Sequence, residues 1–450
     1  MDGDLSALPP SAALPPISTT SPSTTTTALS APPPPKTHTI TNPSPAPTPI
    51  PPTSISTTLA KYTSLLSPAL HTTILAFSDE FFAPASNLIS PGPPIRKPGV
   101  YVETGAWYDG WETRRHNASK DGESGEVCDW VTFQLGVKAR VRAVEVDTFA
   151  FVGNQGEGAR VLGACQSGDG DAGGVKWDTE VLPKQKLEGD TRHAWLVGGD
   201  DGVGGGEVDG GITHVKLQMF PDGGIARFRL YGDVLPNFAP LHTLSPAEKT
   251  QEIELSAALN GGVVTGQSDQ HFGKAANLLL PGRGVDMGDG WETKRSRGVG
   301  HEDSVVVKLG ARGRVSRVVV DTMHFRGNFP RGVRVEGMDA GGKEGSEESD
   351  LPLRRMGEKD GLGKGEGAGD GEGTGMAGEG GFFERDEGTA KAVEKEDKGE
   401  EWKVLGVVEQ CEKDKEHEIV VEGGVACTHA KMVIIPDGGV KRFRVFGTRV

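Results

Sequence analysis

Cysteine, tyrosine and basic charge are all scarce in this sequence of 450 residues. It holds 4 Cys and 4 Tyr, and aromatic residues make up 6%. Cys128, Cys165, Cys411 and Cys427 are too few and too scattered for a disulfide scaffold, and they read as reduced thiols. Lys+Arg 48 against Asp+Glu 63 leaves a net charge of −15, which argues against nucleic acid or an anionic membrane as a partner. No apolar run approaches the roughly 18 residues of a membrane-crossing helix. The start, Met1-Asp2-Gly3-Asp4, has neither the basic and apolar regions of a secretory signal nor the arginines of a mitochondrial presequence. A cytoplasmic protein is expected.

Glycine and proline are abundant instead, at 66 and 30, while hydrophobic residues reach only 35%. Part of such a chain is expected not to pack. Residues 1–56, rich in Ser, Thr and Pro, read as a disordered tail, because they hold too little apolar surface to offset their ordering entropy. Residues 341–401, dominated by Gly, Glu, Asp and Lys, read as a disordered acidic insertion, and Gly198–Gly211 as a shorter one. Loop insertions of this kind cost little, since closure entropy grows slowly with length.

The rest of the chain contains itself twice. Asp109-Gly110-Trp111-Glu112-Thr113-Arg114-Arg115 returns as Asp289-Gly290-Trp291-Glu292-Thr293-Lys294-Arg295. Val146-Asp147-Thr148 and Phe151-Val152-Gly153-Asn154 return as Val320-Asp321-Thr322 and Phe325-Arg326-Gly327-Asn328. Pro221-Asp222-Gly223-Gly224 returns as Pro436-Asp437-Gly438-Gly439. The distance between the copies changes from motif to motif, and each change locates an insertion; the largest is the acidic glycine-rich stretch. A repeat this long is a duplicated domain rather than a solenoid unit. The expected units are 57–236 and 261–450, joined by a linker at 237–260.

Each copy reads as β. Val141 to Phe149 and Val315 to Val320 are β-branched and short. Pro-Asp-Gly-Gly between two apolar runs predicts a hairpin. In the strand that follows, Phe228 and Leu230 face one way and Arg227 and Arg229 the other, a pattern repeated by Phe443 and Val445 against Arg442 and Arg444. Those arginines are expected on a solvated face. Many short strands with irregular links imply a sandwich. Only Thr57–Leu66 and Ser245–Leu259 look able to form helix.

The densest polar cluster is Asp-Gly-Trp-Glu-Thr-(Arg/Lys)-Arg. It places an acid–base group beside a cation, on a loop that a sheet would hold rigid. The same residues also suit a buried Trp plug with a solvated charged rim. Asp321 to Asn328 is the second candidate; it carries His324, whose imidazole suits proton transfer near neutral pH, where the first copy has Ala150. No CxxC, HxxxH or HExxH spacing occurs, so no metal is expected, and glycine tracts such as Gly361–Gly381 follow no strand and open no helix, so no dinucleotide cofactor is expected.

Three motifs, each present twice and in order, closely resemble the allantoicase family. They are Asp-Gly-Trp-Glu-Thr-x-Arg, Asp-Thr-x-x-Phe-x-Gly-Asn, and the ending Pro-Asp-Gly-Gly-(Val/Ile)-x-Arg-Phe-Arg. The resemblance covers about Leu75 to Val450 outside the insertions. It implies an all-β fold of two tandem jelly-roll domains of the galactose-binding or discoidin-like kind, assembled as a homo-oligomer. It also implies hydrolysis of allantoate to (S)-ureidoglycolate and urea in allantoin catabolism, with no cofactor. On that reaction, Arg295 or Arg115 would clamp the substrate carboxylate, and Glu292 or Glu112 would hold urea or act as base. His324 would be the proton donor, with Asp321 orienting it. Asp289, Asp109, Trp291 and Asn328 would complete the substrate contacts. Two other readings fit the same sandwich: a discoidin-like ligand-binding module without chemistry, and a pseudo-enzyme scaffold that recruits partners through its tail and insertion.

Overall fold

The computed structural model describes residues 40–41, 43, 45–116, 127–166, 174–199, 202–203, 211–340 and 402–450. The acidic insertion at 341–401, most of the expected tail and most of the shorter insertion at Gly198–Gly211 lie outside the described residues.

The first repeat runs β1 (Thr73–Phe77), β2 (Trp111–Glu112), β3 (Asp129–Asp147), β4 (Gly158–Ala164), β5 (Thr179–Lys186), β6 (Arg192–Leu196), β7 (Ile212–Phe220), β8 (Gly224–Ile225) and β9 (Arg227–Val234). The second runs β10 (Val263–Gln267), β11 (Trp291–Glu292), β12 (Asp303–Asp321), β13 (Gly332–Met338), β14 (Lys403–Val408), β15 (Glu416–Ile435), β16 (Gly439–Val440) and β17 (Arg442–Arg449). Each repeat is organised by one strand of 19 residues, β3 or β12. The first half of β3 pairs with β1 and β7, and its second half with β6 and β9. All these pairings are antiparallel. Phe133, from the first half, meets Phe228, from the partner of the second half, with ring centroids 5.7 Å apart. The two layers therefore close on a shared core, as in a β-sandwich.

Alternation along the strands fills that core. Phe133, Val144, Val146, Leu217, Phe228 and Leu230 are fully buried in the first repeat; Val305, Val307, Val318, Val320, Phe443 and Val445 are fully buried in the second. Each such side chain contributes roughly 1.5–3 kcal/mol over its exposed state. Leu70, which precedes β1, is fully buried in the core of the second repeat and so ties the two sandwiches together.

Three expectations need correction. Pro-Asp-Gly-Gly does not close a hairpin: β7 pairs with the first half of β3 and β9 with its second half, so the turn carries the chain between layers. The tail ends before residue 56, because Thr48–Pro49 pairs with β6 and Ile50, Ile55 and Leu59 pack on Ala143 and Ala194. The helices are also shorter than expected. Ile55–Leu59 stops before an extended pair at Thr63–Ser64, and Pro246–Lys249 is one turn held by a Ser245/Glu248 capping box. The four cysteines are free thiols.

Candidate active site

The three doubled motifs meet at one place in each repeat. Trp111–Glu112 pairs with Gly224–Ile225, and Trp291–Glu292 with Gly439–Val440. Alternation on this short ribbon buries the tryptophan and turns the glutamate outward. Trp111 and Trp291 are fully buried, and each indole Nε1 donates to a backbone carbonyl, Asp79 O at 2.7 Å and Asp269 O at 2.9 Å. The Phe151 and Phe325 rings lie against Gly224 and Gly439, where an added Cβ would stand about 2 Å from ring carbons. No larger residue fits there. Thr113 and Thr293 accept the Gly223 and Gly438 amides through their hydroxyls.

On this base stands a polar group. Glu112 Oε1 accepts from Asn154 Nδ2 at 2.8 Å, and Glu292 Oε1 from Asn328 Nδ2 at 2.5 Å. Arg115 donates to Gly153 O and pairs with Asp222 at 2.6 Å. Arg295 donates to Gly327 O at 2.7 Å, with Asp437 3.9 Å away. The same two aspartates fix the loop beyond the arginine, accepting the backbone amides of His116 and Ser296 at 2.7 Å. Asp222 and Asp437 are buried, whereas the arginine side chains are 54% and 67% exposed, so the cations are anchored at one edge and open at the other. Burial pushes the Glu112 carboxyl above its ordinary value, against the Asn154 bond and the Arg115 charge. The set supplies a carboxylate, an amide and an open guanidinium: an acid–base group beside an anchor for a small anion.

Fold and site together define a class: a tandem β-sandwich protein carrying a carboxylate–amide–guanidinium cluster in each repeat. The family model that matches is the allantoicase repeat, at residues 63–235 and 253–450. The chain is 39% identical to an allantoicase of Neurospora crassa, covering 86% of this chain and 91% of that one. It is 38% identical to an allantoicase of Saccharomyces cerevisiae, covering 83% and 90%. The crystal structure of Saccharomyces cerevisiae allantoicase superposes with a TM-score of 0.61 at 35% identity, covering 88% of this chain and 96% of that one. The chain belongs to the allantoicase family, and it is a hydrolase of purine catabolism.

The structure sorts the residues named from sequence. It brings together Glu292, Asn328 and Arg295, and likewise Glu112 and Arg115. Trp291 is enclosed and presents no surface. Asp109 faces inward: Oδ2 accepts Arg227 Nη2 at 2.7 Å and the Ile95 amide at 2.8 Å. Asp289 does the same for Arg442, Lys441 and the Val285 amide. The terminal arginines are therefore not a solvated face. Arg227 and Arg442 are 3% and 1% exposed, and they bind the carbonyls of Gly92 and Gly282 as well as those aspartates. Alternation assigned them a side correctly but could not reveal that a loop covers it.

Asp321 does not orient His324. Its carboxylate is fully buried and holds Arg283 at 2.7 and 2.8 Å, and it also accepts the Met323 amide. His324 stands on the next turn at φ 69°, with its amide on Asp414; Ala150 takes the same conformation at φ 65°, with its amide on Asp190. The turn thus makes no demand for histidine. His324 Nε2 is buried and has no hydrogen-bond partner among the described residues.

Sequence reasoning passed over a further group. His116 Nε2 lies 3.1 Å from Asp129 Oδ2, and His301 Nε2 lies 3.2 Å from Asp303 Oδ2. Ser78 and Ser268 donate to the other oxygens of those aspartates, at 2.6 and 2.7 Å. The repeat of Ser78-Asp79 as Ser268-Asp269 was visible in the sequence. The histidines were not, because His116 stands well ahead of Asp129 in the chain whereas His301 is almost adjacent to Asp303.

Proposed function

We propose that this chain hydrolyses allantoate to ureidoglycolate and urea at the Glu–Asn–Arg cluster of each repeat. Allantoate carries a carboxylate and two ureido groups on one carbon. The open edge of Arg115 or Arg295 takes the carboxylate by paired N–H···O bonds. Asn154 or Asn328 fixes the adjacent glutamate, whose free oxygen takes a proton from the attacking water. The departing nitrogen needs a proton in return. His324 is a donor candidate on the neighbouring turn of the second repeat, with no counterpart in the first.

The observation that carries the proposal is the glutamate held by an amide beside a guanidinium that is anchored but mostly exposed. It arises twice from motifs distant in sequence. Glu112→Gln with Glu292→Gln keeps the shape and removes the base. Urea release from allantoate by the purified double variant should fall about 100- to 10,000-fold. Turnover within fivefold of the unaltered protein would remove the cluster from the reaction. We also propose a homo-oligomer in the cytoplasm. Light scattering on the eluting peak and cell fractionation test these two points.

A further inference from the structure

We propose that His116 and His301, each set by a buried aspartate, carry the proton that leaves with urea. This rests on the reading that allantoate is hydrolysed beside Glu112 and Glu292.

The loop that starts at Glu292 ends at Asp303, with Arg295 near its beginning and His301 near its end. One pair of adjacent residues fastens both ends. Asp269 accepts the Lys294 amide at 2.6 Å, and Ser268 donates to Asp303 at 2.7 Å. In the first repeat Asp79 accepts the Arg114 amide at 2.8 Å and Ser78 donates to Asp129 at 2.6 Å. The histidine therefore sits on the same short loop as the arginine that anchors the substrate.

In His301 the bonding fixes which nitrogen faces out, and the same aspartate and serine contacts recur at His116. The amides of Trp130 and Ser304 donate to the Ser78 and Ser268 oxygens at 2.9 and 2.8 Å, so each hydroxyl hydrogen is turned to its aspartate. That aspartate, 3% or 4% exposed, acts as an acceptor on both oxygens. A carboxylate acceptor requires the hydrogen on histidine Nε2. The proton that the imidazolium form of His301 transfers is then the one on Nδ1. In His301, Nδ1 has no partner among the described residues. The side chains are 30% exposed for His116 and 32% for His301, enough for a small substrate to reach.

The strongest support is that the two copies reach this geometry by different routes. His116 directly follows Arg115, whereas His301 lies several positions beyond Arg295. Simple inheritance of a packing residue would keep the position in the chain. Here the position moved while the aspartate contact, the serine contact and the exposure stayed the same.

The step balances. The bond from the central carbon to one ureido nitrogen breaks, and its electron pair goes to nitrogen, which takes the proton from histidine Nδ1. The water oxygen forms the new bond to that carbon and gives its proton to the glutamate. The glutamate proton returns through solvent to the histidine, and both groups are reset.

His116→Gln with His301→Gln tests this, because the glutamine amide keeps a donor to the aspartate while removing the transferable proton. The expected result is a fall in kcat of about 100-fold or more, with KM within threefold. His116→Ala with His301→Ala should be partly restored by added imidazole, a readout that a structural role would not give. The glutamate double variant is run beside them. If it is inactive while the glutamine variant turns over within fivefold of the unaltered protein, the histidine role is overturned and the glutamate reading stands. If both turn over normally, the site itself is misplaced. Should the glutamine variant unfold, failure of imidazole to raise the rate of the folded alanine variant overturns the proposal.

Discussion

Replacing Arg283 by Met should destabilise the second repeat chiefly by stranding a buried charge. Arg283 binds both oxygens of Asp321, whose side chain is 0% exposed. Removing one partner of a fully buried pair costs roughly 3–5 kcal/mol, because the other charge stays buried and unpaired. Arg283 is 40% exposed, so water already screens one side of this pair, and about 2 kcal/mol is the reasonable expectation at pH 7. Glu416, 3.5 Å from Arg283, would then face Asp321 without the cation between them. At about 2–4 °C per kcal/mol for a unit of this size, Tm should fall roughly 4–8 °C. Adding Asp321→Asn should recover more than half of the loss, since the asparagine oxygen can still accept the Met323 amide. The first repeat is the internal control. Gly92 and Gly282 both accept from the strand arginine, so Pro93 stands where Arg283 does. Asp147, buried there with no cation bonded to it among the described residues, has its pKa raised by burial. Asp147→Asn should therefore be neutral to slightly stabilising at pH 7. Thermal and urea unfolding at pH 7 give all three values. A cost below about 0.5 kcal/mol for Arg283→Met, or no relief from Asp321→Asn, would refute the buried-charge argument.

Two further outcomes follow. Arg115→Met with Arg295→Met removes the anion anchor while leaving the glutamates, so KM for allantoate should rise about tenfold or more with a smaller change in kcat; steady-state kinetics decide it, and an unchanged KM would exclude these arginines as the clamp. His214 and His429, 1% and 6% exposed, have their pKa values lowered by burial, so the folded state binds fewer protons than the unfolded one. Stability should accordingly be complete above the unfolded histidine value of about 6.5 and decline as pH falls below it, at up to about 1.4 kcal/mol per pH unit for each; His214→Asn with His429→Asn should flatten Tm between pH 7 and pH 5, and an unchanged slope would assign the acid sensitivity elsewhere.

Much of this was legible in the amino-acid sequence, and the failures have definite physical origins. The duplication and the three motifs point to the candidate site, because Glu112, Asn154 and Asp222 lie in different motifs and converge on one ribbon. The hairpin was misread because apolar runs flanking a turn do not disclose that β3 is long enough to serve β7 and β9 in succession. The arginines were misread for a related reason: a period of two assigns sides, but only tertiary structure says what covers them. Ile50 and Ile55 were lost in the tail because isolated apolar residues show no period, although both are buried. The histidine–aspartate pairs were missed because a loop of different length moved the histidine along the chain.

The two copies also separate what the fold needs from what the chemistry needs. Trp111 and Trp291, Thr113 and Thr293, and Phe151 and Phe325 recur in both, and all are at most 2% exposed, so packing accounts for them. Arg115 and Arg295 recur with more than half of each side chain in solvent, and His116 and His301 with about a third. Exposed polar side chains at these positions carry little of the folding free energy, since surface ion pairs contribute only about 0–1 kcal/mol. A feature that differs between copies, such as Arg283 against Pro93, belongs to one repeat's local balance of charge. A residue that is exposed, held in place by a buried partner, and reproduced in both copies is where stability gives least reason for its identity and the reaction gives most. By that criterion the glutamate, the arginine and the aspartate-bound histidine form the proposed working set.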